Sequence, residues 1–542
     1  MSRRVAFYIL FIFGAVFLLA LILFMFLFLG GSNWNIFGLG SVAQRNIYTV
    51  FHGPDVDSIL AHRNIIIDSN TTHIEIRAVK EGQTDEGRIV LFENANGVSF
   101  NSLHRTHVSW IQEIRQDGSV WYRITVHEPN GVVRRNARLV INLVPDNIPI
   151  AQAQMQPFNF ILNTGAAPVT FSADPTVDYM FIDQVIVNNA WGIINFPPPP
   201  TELIPFVLEV RRLVINSSST VNIRTLVTDY VQINSNTGNF TFGDIGTAAT
   251  LGTDVLVSNG TSHTINSAPN STVRGNVRFE TGGGSITLVD VIGNVYVNTN
   301  IAGITMRNID GEVNIETYSS AIRITEISGQ LNYESTAGTI VVNNTHGFSD
   351  VRTTRANVTI GTTSNASSPV TAGAQGNVVV YNRYGSTTVN FGWHATAHEL
   401  HVVGFDGNVV ATNIKGLVNI MLGSNGRATV QASFLQIANG SLIEHQGSTS
   451  PGVNFGNITV TLQRVNAQTQ FNQPFSFIVE NTRSARDFTG WPVAGSPGNV
   501  PSGVEIPNFN AFPSPGAWQV HGGSVNHALV VRTSNTVALR AA

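Results

Sequence analysis

Hydrophobic and polar residues alternate along much of the chain after residue 205, and the alternation is interrupted at regular intervals. The stretch "GEVNIETYSSAIRITEIS", residues 311–328, carries two short alternating segments separated by small residues. Alternation with a period of two is typical of a half-buried β-strand. The same arrangement begins again at each of five equally spaced glycines, namely Gly275, Gly293, Gly311, Gly329 and Gly347. The pattern therefore predicts five consecutive repeats with two strands each.

Four positions of this repeat are apolar in nearly every copy. In the central copy they are Val313, Ile315, Ile322 and Ile324. The opening glycine tolerates a positive φ at one turn, and a small residue at the tenth position allows the other turn. Two four-residue strands form no core alone, whereas stacked repeats bury each apolar column against its own copies. We therefore expect a β-solenoid (β-helix) with 18-residue coils; an antiparallel meander of nine-residue arms is the structural alternative.

The hydrophobic pattern divides the chain of 542 residues into three regions after residue 29. The predicted fold of these regions is all-β. Residues 30–200 form a β-rich N-terminal region with strands such as "THIEIRAV" and "WYRITVHE". This region ends in "FPPPP", which is either a stiff polyproline spacer or an ordinary loop. Less regular copies extend the solenoid repeat domain to residues 201–440. Residues 441–542 lose the period and contain a Pro/Gly-rich loop and final strands, so we interpret them as a cap over exposed strand edges.

The N-terminus carries a predicted membrane anchor. Residues Val5–Leu29 are 25 consecutive uncharged, mostly apolar residues, which as a helix exceed the roughly 30 Å hydrocarbon core. Arg3 and Arg4 precede this segment, and the next charged residue is Arg45. The positive-inside rule then makes residues 1–4 a cytoplasmic tail and places the bulk of the chain outside the cytoplasm. A cleaved signal peptide is the alternative.

Composition narrows the classes of function. Charged residues make up 12% of the chain, against about 25% in an ordinary soluble domain. Lys80 and Lys415 are the only lysines and the net charge is -4, so no basic stripe is present and nucleic-acid binding is discounted. The absence of cysteine excludes disulfides, thiolate metal sites and cysteine nucleophiles. We expect no cofactor.

One pair of carboxylates has a spacing that fits carbohydrate cleavage. Glu316 and Glu334 occupy the sixth position of adjacent repeats, and stacking would bring them one strand spacing apart. That is close to the roughly 5 Å between the carboxyl groups of retaining glycosidases. A membrane-tethered polysaccharide lyase or hydrolase is therefore an alternative function. The repeat supplies no further acid, histidine or lysine beside the pair, so we interpret it as a solvated column and assign no catalytic residue.

Histidines cluster once, in "WHATAHELHVV", at His394, His398 and His401. On a helix these spacings would gather three zinc ligands on one face. On a strand, His401 would point away from the other two, and "ELHVV" is typical of a strand. We therefore interpret the three as polar surface residues and assign no metal site.

The repeats "GNVRFETGGGSITLVDVIG" and "GNVYVNTNIAGITMRNIDG" resemble a bacterial family of β-strand-repeat proteins that is described as adhesins. The resemblance is strongest over residues 205–440 and loose over residues 46–145. It implies a β-solenoid fold and a surface-exposed, adhesive role, and it carries no catalytic or cofactor-binding residue. The expected function is a membrane-anchored adhesin or envelope scaffold that meets a surface glycan or an envelope protein. A polymerising structural β-helix, like the bactofilins, is the remaining alternative.

Overall fold

Strands dominate the protein. The computed structural model describes residues 14–20, 45–51, 54–80, 89–96, 106–128, 134–144, 157–197, 206–235, 237–245, 254–258, 262–267, 272–361, 373–392, 398–433, 437–438, 440–446, 456–463, 477–481, 486–487, 516–520, 529–533 and 537–541. Strands make up 72% and helix 4% of the described structure. Its helical residues are 14–20 and α1 (Pro54–His62). The prediction of an all-β protein is confirmed.

The predicted anchor Val5–Leu29 lies outside the described residues except for 14–20, which are helical. Among the residues that are described, no helix has both the length and the apolar character needed to cross a membrane.

The chain divides into two compact units, residues 1–227 and 228–542. The boundary predicted from the sequence, directly after Pro200, lies earlier in the chain than this division. The strands of the first unit are β1 (Arg45–Phe51), β2 (Asn64–Ser69), β3 (His73–Ala78), β4 (Ile89–Asn96), β5 (His107–Ile114), β6 (Val120–His127), β7 (Arg134–Leu143), β8 (Phe158–Thr164), β9 (Val169–Ala173), β10 (Tyr179–Asn189), β11 (Ile194–Asn195), β12 (Val207–Ser217) and β13 (Val221–Leu226).

Parallel stacking already begins in the first unit, where the sequence shows no period. Strand β2 pairs in parallel with β6 on one side and with β8 on the other, so that Ile65 lies beside both Tyr122 and Phe160. Strand β3 does the same with β7 and β9. The order of strands in space, β6-β2-β8-β10-β12, therefore differs from their order along the chain.

Antiparallel strands cover the outer edges of this first stack. Strand β5 pairs antiparallel with β6, β4 pairs antiparallel with β7, and β1 pairs antiparallel with β4. A strand edge exposes unpaired backbone N–H and C=O groups that invite other chains to pair. Strands β1, β4 and β5 thus cover the outer edges of the parallel strands β6 and β7.

The second unit is built mainly from parallel strands. They are β14 (Tyr230–Asn234), β15 (Thr237–Ile245), β16 (Asp254–Ser258), β17 (Ser262–Ser267), β18 (Val273–Arg274), β19 (Asn276–Ile292), β20 (Val295–Asp310), β21 (Val313–Ile327), β22 (Leu331–Thr345), β23 (Ser349–Thr353), β24 (Asn357–Ile360), β25 (Gly373–Ala374), β26 (Val378–Asn382), β27 (Thr387–Asn390), β28 (Glu399–Gly404), β29 (Asn408–Ile414), β30 (Leu417–Leu422), β31 (Arg427–Ser433), β32 (Ser441–His445), β33 (Ile458–Gln463), β34 (Phe477–Asn481), β35 (Arg486–Asp487), β36 (Gly516–Val520), β37 (Leu529–Thr533) and β38 (Val537–Ala541).

The 18-residue repeats pair in register with one another. Strands β19 to β22 are each long and bent, and every one pairs in parallel with the next. Ile322, for example, lies beside Ile304 on one side and Ile340 on the other. These side chains are buried, so the core consists of columns in which like residues stack. An antiparallel meander of half-repeats does not describe these strands.

The repeated glycines have a physical reason that the sequence analysis missed. A Cβ atom at Gly293, Gly311, Gly329 or Gly347 would lie only 2.1 to 2.4 Å from the carbonyl oxygen of the corresponding glycine in the preceding repeat. Gly275 and Gly293 do have positive φ angles, 133° and 144°, whereas the next three glycines do not. At those three, the close approach of successive repeats, and not the turn conformation, requires glycine.

The regular spacing ends after Gly347. Ser349 pairs with Val378, and Val378 pairs with Leu400, so the following rungs are longer than the repeat and unequal in length. Near the C-terminus, β32 and β33 pair in parallel with β37 and β38, which are the final strands expected from the sequence. The predicted Pro/Gly-rich loop of the cap, residues 491–515, lies outside the described residues.

Candidate functional site

The candidate carboxylates Glu316 and Glu334 lie side by side on neighbouring strands. They are register partners on β21 and β22, and both are exposed. They belong to a continuous outward surface, which we call the first-strand face, formed at the fourth and sixth positions of five successive repeats by Arg278, Glu280, Tyr296, Asn298, Asn314, Glu316, Asn332, Glu334, Asp350 and Arg352. Residues 314–316, 332–334, 350 and 352 line a shallow groove of about 160 Å³ on this face.

Alternation along each strand creates this face. Ile315 and Tyr333 point into the core, so their neighbours on both sides point outward. Because the strands are in register, the outward residues form columns that run from repeat to repeat. The prediction that Glu316 and Glu334 share one outward column is thus confirmed.

Neutral donors bind the Glu316 carboxylate. The Tyr296 hydroxyl donates to Glu316 Oε2 over 3.2 Å, and Asn298 Nδ2 donates to the same oxygen over 3.3 Å. Below them in the stack, Asn332 Nδ2 donates to Asn314 Oδ1 over 2.7 Å. The polar side chains therefore satisfy one another from repeat to repeat.

Arginine–carboxylate pairs stand at both ends of the face. Arg352 Nη2 lies 2.9 Å from Asp350 Oδ2, and hydrogen bonding to Asp350 and its negative charge raise the pKa of Arg352. Arg278 Nε donates to Glu280 Oε1 over 2.7 Å, and this bond likewise raises the pKa of Arg278. Each guanidinium also lies over a tyrosine, Arg278 over Tyr296 at 4.6 Å and Arg352 over Tyr381 at 5.5 Å from the ring centroid.

The fold separates the three histidines, and the prediction that they are surface residues is wrong for His398. His394 lies outside the described residues. His398 is buried, with its ring 3.5 Å from the ring of Phe391, and the Lys415 backbone N–H donates to its Nε2 over 3.2 Å. His401 lies on the outer side of β28, 3.6 Å from the Glu399 carboxylate. Within the described ranges, no three His, Cys, Asp or Glu side chains converge as metal ligands.

Sequence reasoning missed a column of polar side chains inside the first bend of the repeats. Thr281, Thr299, Ser335 and Thr353 occupy the seventh position and are at most 8% exposed. Thr281 and Ser335 donate to the carbonyls of residues two positions later, which satisfies backbone groups at the bend. The signal was visible, because this position is Thr or Ser in all five copies.

The chain was compared with protein-family models, with curated proteins and with solved structures, and no match was found. The arrangement itself offers many exposed hydrogen-bonding groups and two guanidinium–aromatic pairs. Such a surface is suited to binding at several weak contacts.

Proposed function

We propose that the chain is a membrane-anchored, surface-exposed β-solenoid without catalytic activity, which acts as an adhesin or as an envelope scaffold. The observation that carries this proposal is the continuous first-strand face, which spans five repeats and whose side chains bond to one another across the second to fourth of them. A regular outward surface of this kind presents the same groups repeatedly. It is therefore suited to contact an extended partner.

Three features support the solenoid. Strands β19 to β22 pair in parallel, and each pairing is offset by one whole repeat. Their apolar columns are buried, and the glycine column permits the close approach of successive repeats. Stacked repeats that each contact only their neighbours are the defining property of solenoid proteins.

The absence of catalysis is supported by the environment of the carboxylates. A glycosidase needs a proton donor, which is usually held in a partly apolar pocket. Glu316 and Glu334 are both exposed, and Glu316 accepts hydrogen bonds from Tyr296 and Asn298. The nearest arginine on the face, Arg352, is paired with Asp350.

The anchor is supported by residues 14–20 of the segment Val5–Leu29. Val16, Phe17, Leu18 and Leu19 are each 59 to 69% exposed, so this helical stretch is apolar on every side without protein to cover it. A helix that is hydrophobic all round is usual within a bilayer. With Arg3 and Arg4 on the cytoplasmic side, the remainder of the chain lies outside the cytoplasm. The resemblance of the repeats to surface adhesins supports the same location.

The proposal is tested with the full-length chain expressed in a bacterial host with a C-terminal epitope. We expect the chain to stay in the membrane fraction after an alkaline carbonate wash, and the epitope to be cleaved by protease added outside the cytoplasmic membrane. We also expect retention on at least one member of a panel of cell-surface glycans and envelope fractions. Release by carbonate contradicts the anchor, and failure to bind any member contradicts adhesion while leaving the scaffold role.

The register pairing of Glu316 with Glu334 favours one second candidate, a polysaccharide lyase or hydrolase. The test is release of reducing ends or unsaturated sugars from envelope and plant glycans by the wild type and by the double variant E316Q/E334Q. We expect no product from either protein. Turnover by the wild type that disappears in the double variant would establish the enzyme instead.

A further inference from the structure

Exposed aromatic rings and guanidinium groups gather at the first bend of three successive rungs of the second unit, where the regular repeat has ended. We call Arg355, Arg383, Tyr384 and Phe405 the corner cluster. The Arg383 guanidinium lies 5.1 Å from the ring centroid of Tyr384 and 5.8 Å from that of Phe405. The Arg355 guanidinium, on the preceding rung, lies 5.8 Å from the Tyr384 ring. Tyr384 and Phe405 remain 42% and 45% exposed.

The backbone fixes these residues on adjacent rungs. The Tyr384 N–H donates to the Thr354 carbonyl over 2.8 Å, and the Asp406 N–H donates to the Arg383 carbonyl over 3.1 Å. The pair formed by Arg352 and Tyr381 stands immediately before the bend on two of the same rungs. Tyr381 is also 45% exposed. The cluster is therefore an ordered strip of exposed rings and not a set of isolated surface side chains.

Among the described residues, two of the arginines have no carboxylate partner. Arg352 is bound by Asp350, and the nearby Asp406 carboxylate accepts a hydrogen bond from Asn425 over 3.1 Å. In the part of the chain that the structure describes, no Asp or Glu forms an ion pair with Arg355 or Arg383. Their donors are thus available to an anion from outside the chain.

We propose that the corner cluster binds an acidic polysaccharide, an inference that rests on the proposed adhesive function and names its ligand class. The flat rings of Tyr381, Tyr384 and Phe405 offer apolar surface to the faces of sugar rings. Arg355 and Arg383 bind the carboxylate or sulfate groups of the polymer through paired N–H donors. Successive rungs are about 4.8 Å apart, so the strip contacts several sugar units of one extended chain.

Charge favours a polysaccharide over the other polyanions. Glu334 lies on the rung before the cluster and Asp350 lies on the same rung as Arg355, and their negative charges disfavour a polymer with closely spaced charges. Double-stranded DNA carries one charge per roughly 1.7 Å and is held by broad basic surfaces. An anionic membrane likewise needs several basic side chains. Arg355 and Arg383, which form no ion pair with any described residue, lie beside three rings and fit a polymer whose charges are separated by whole sugar units.

The test uses the full-length chain in detergent micelles and measures binding to immobilised polygalacturonate, dextran sulfate and neutral dextran. We expect binding to polygalacturonate or dextran sulfate, weakening as salt is raised, and none to dextran. The variant R355Q/R383Q should lose at least about tenfold in affinity. The matched control R307Q/R323Q, which removes two exposed arginines from another part of the repeats, should stay within about twofold of the wild type.

A third variant separates stacking from charge. Tyr384→Leu should weaken binding about fivefold while the salt dependence stays as in the wild type. Circular dichroism melting of all variants checks that the strands remain folded.

Equal loss in R355Q/R383Q and R307Q/R323Q overturns the inference, as does stronger binding of the wild type to duplex DNA than to either acidic glycan. Retention on cells or envelope fractions that R355Q/R383Q does not reduce also overturns it, but leaves the adhesive function intact. Failure of the wild type to bind cells, envelope fractions and every glycan overturns the adhesive function itself.

Discussion

The two units of the protein use parallel strand pairing in different ways. In the second unit, strands β19 to β22 each pair with the next strand along the chain, one repeat away. In the first unit, Ile65 on β2 pairs with Tyr122 on β6 and Phe160 on β8, and several other strands intervene along the chain. Similar parallel pairing therefore arises from a local repeat in one case and from distant segments in the other. A sequence period reveals only the local kind.

The polar contacts of the two units also differ. In the repeats, single hydrogen bonds join one copy to the next, such as those from Asn332 to Asn314 and from Asn308 to Asp290. In the first unit, one carboxylate gathers many bonds: Glu128 accepts from the backbone N–H groups of Thr71 and Thr72, and from the hydroxyls of Thr71 and Ser69. We therefore expect single substitutions to act through backbone spacing in the repeats and through individual side chains in the first unit.

The largest expected effect is that of Gly311→Ala. Its Cβ would lie 2.1 Å from the Gly293 carbonyl oxygen, so two backbone segments must separate. We expect the free energy of opening of the repeats to fall by at least about 3 kcal/mol, the upper range for overpacking. Hydrogen exchange of peptides within residues 295–345 measures this quantity, because a single unfolding free energy is not defined for two units.

Gly303→Ala is the matched control for that substitution. Gly303 lies in β20, and apart from its two chain neighbours no atom of the described residues lies within 4 Å of the position its Cβ would take. We expect the free energy of opening to stay unchanged or to rise by up to about 0.5 kcal/mol, because alanine restricts the unfolded chain. Exchange would then be unchanged or slower. Equal destabilisation by both substitutions would show that repeat spacing is not the cause.

In the first unit, Glu128→Gln should have the next largest effect. The amide keeps one acceptor oxygen but loses the charge that strengthens the bonds to Thr71 and Thr72. The site is partly exposed, so we expect a loss of about 1.5 kcal/mol, the lower end for charge-assisted bonds. Exchange should quicken in peptides covering residues 64–78 and stay unchanged in residues 295–345. A uniform change across both would contradict the local role.

Lowering the pH should weaken the same part of the wild-type first unit that Glu128→Gln weakens. Burial acts to raise the pKa of Glu128, but hydrogen bonds from Thr71 and Thr72 outweigh it and lower the pKa. Because its pKa is lower in the folded state, the ionised Glu128 stabilises the fold at pH values above the pKa that it has in the unfolded chain, about 4.3. This contribution is lost as the pH falls through the lower folded value. Exchange corrected for intrinsic rates should therefore quicken around residue 71 below about pH 4, but not in E128Q.

The sequence predicted the repeats well because their core residues recur. The regular spacing of the glycines and the apolar columns beginning at Val277 and Ile286 predicted both the outward column of Glu316 and Glu334 and the buried side chains. The reason for the glycines was misjudged, since a turn conformation can be argued from one repeat whereas a Cβ overlap exists only between two.

The other strand pairings and the corner cluster could not be predicted, because they depend on contacts between segments that are distant along the chain. Nothing in "RNIIID" indicates that its partner is "FNFILN", which lies six strands later in the chain. The corner cluster was missed for a related reason: Arg355, Tyr384 and Phe405 are adjacent only because longer rungs of unequal length follow the regular repeats. When the 18-residue period is continued beyond Gly347, these three residues fall at unrelated positions of the repeat.

Arg123→Gln tests the ion pairs of the first unit. Arg123 binds Glu113 through Nε at 2.5 Å and Asp68 through Nη1 at 2.6 Å, and these bonds raise its pKa. The three side chains are about a third exposed, so we expect a loss of about 1 kcal/mol. Faster exchange in β5 and β6 at low salt, with a smaller difference from the wild type at high salt, is the expected result. No salt dependence would contradict an ionic contribution.

Arg278→Gln should have the smallest effect, although its ion pair with Glu280 is similarly short. Here the side chains are 56% and 37% exposed, and both residues lie on the same strand two positions apart. The pair therefore joins no distant segments, and water screens it. Arg278→Gln also removes the exposed contact with the Tyr296 ring, so we expect the free energy of opening in residues 276–310 to fall by about 0.5 kcal/mol at most. A loss as large as that of Arg123→Gln would show that the repeats also depend on individual side chains, which would remove the difference between the two units.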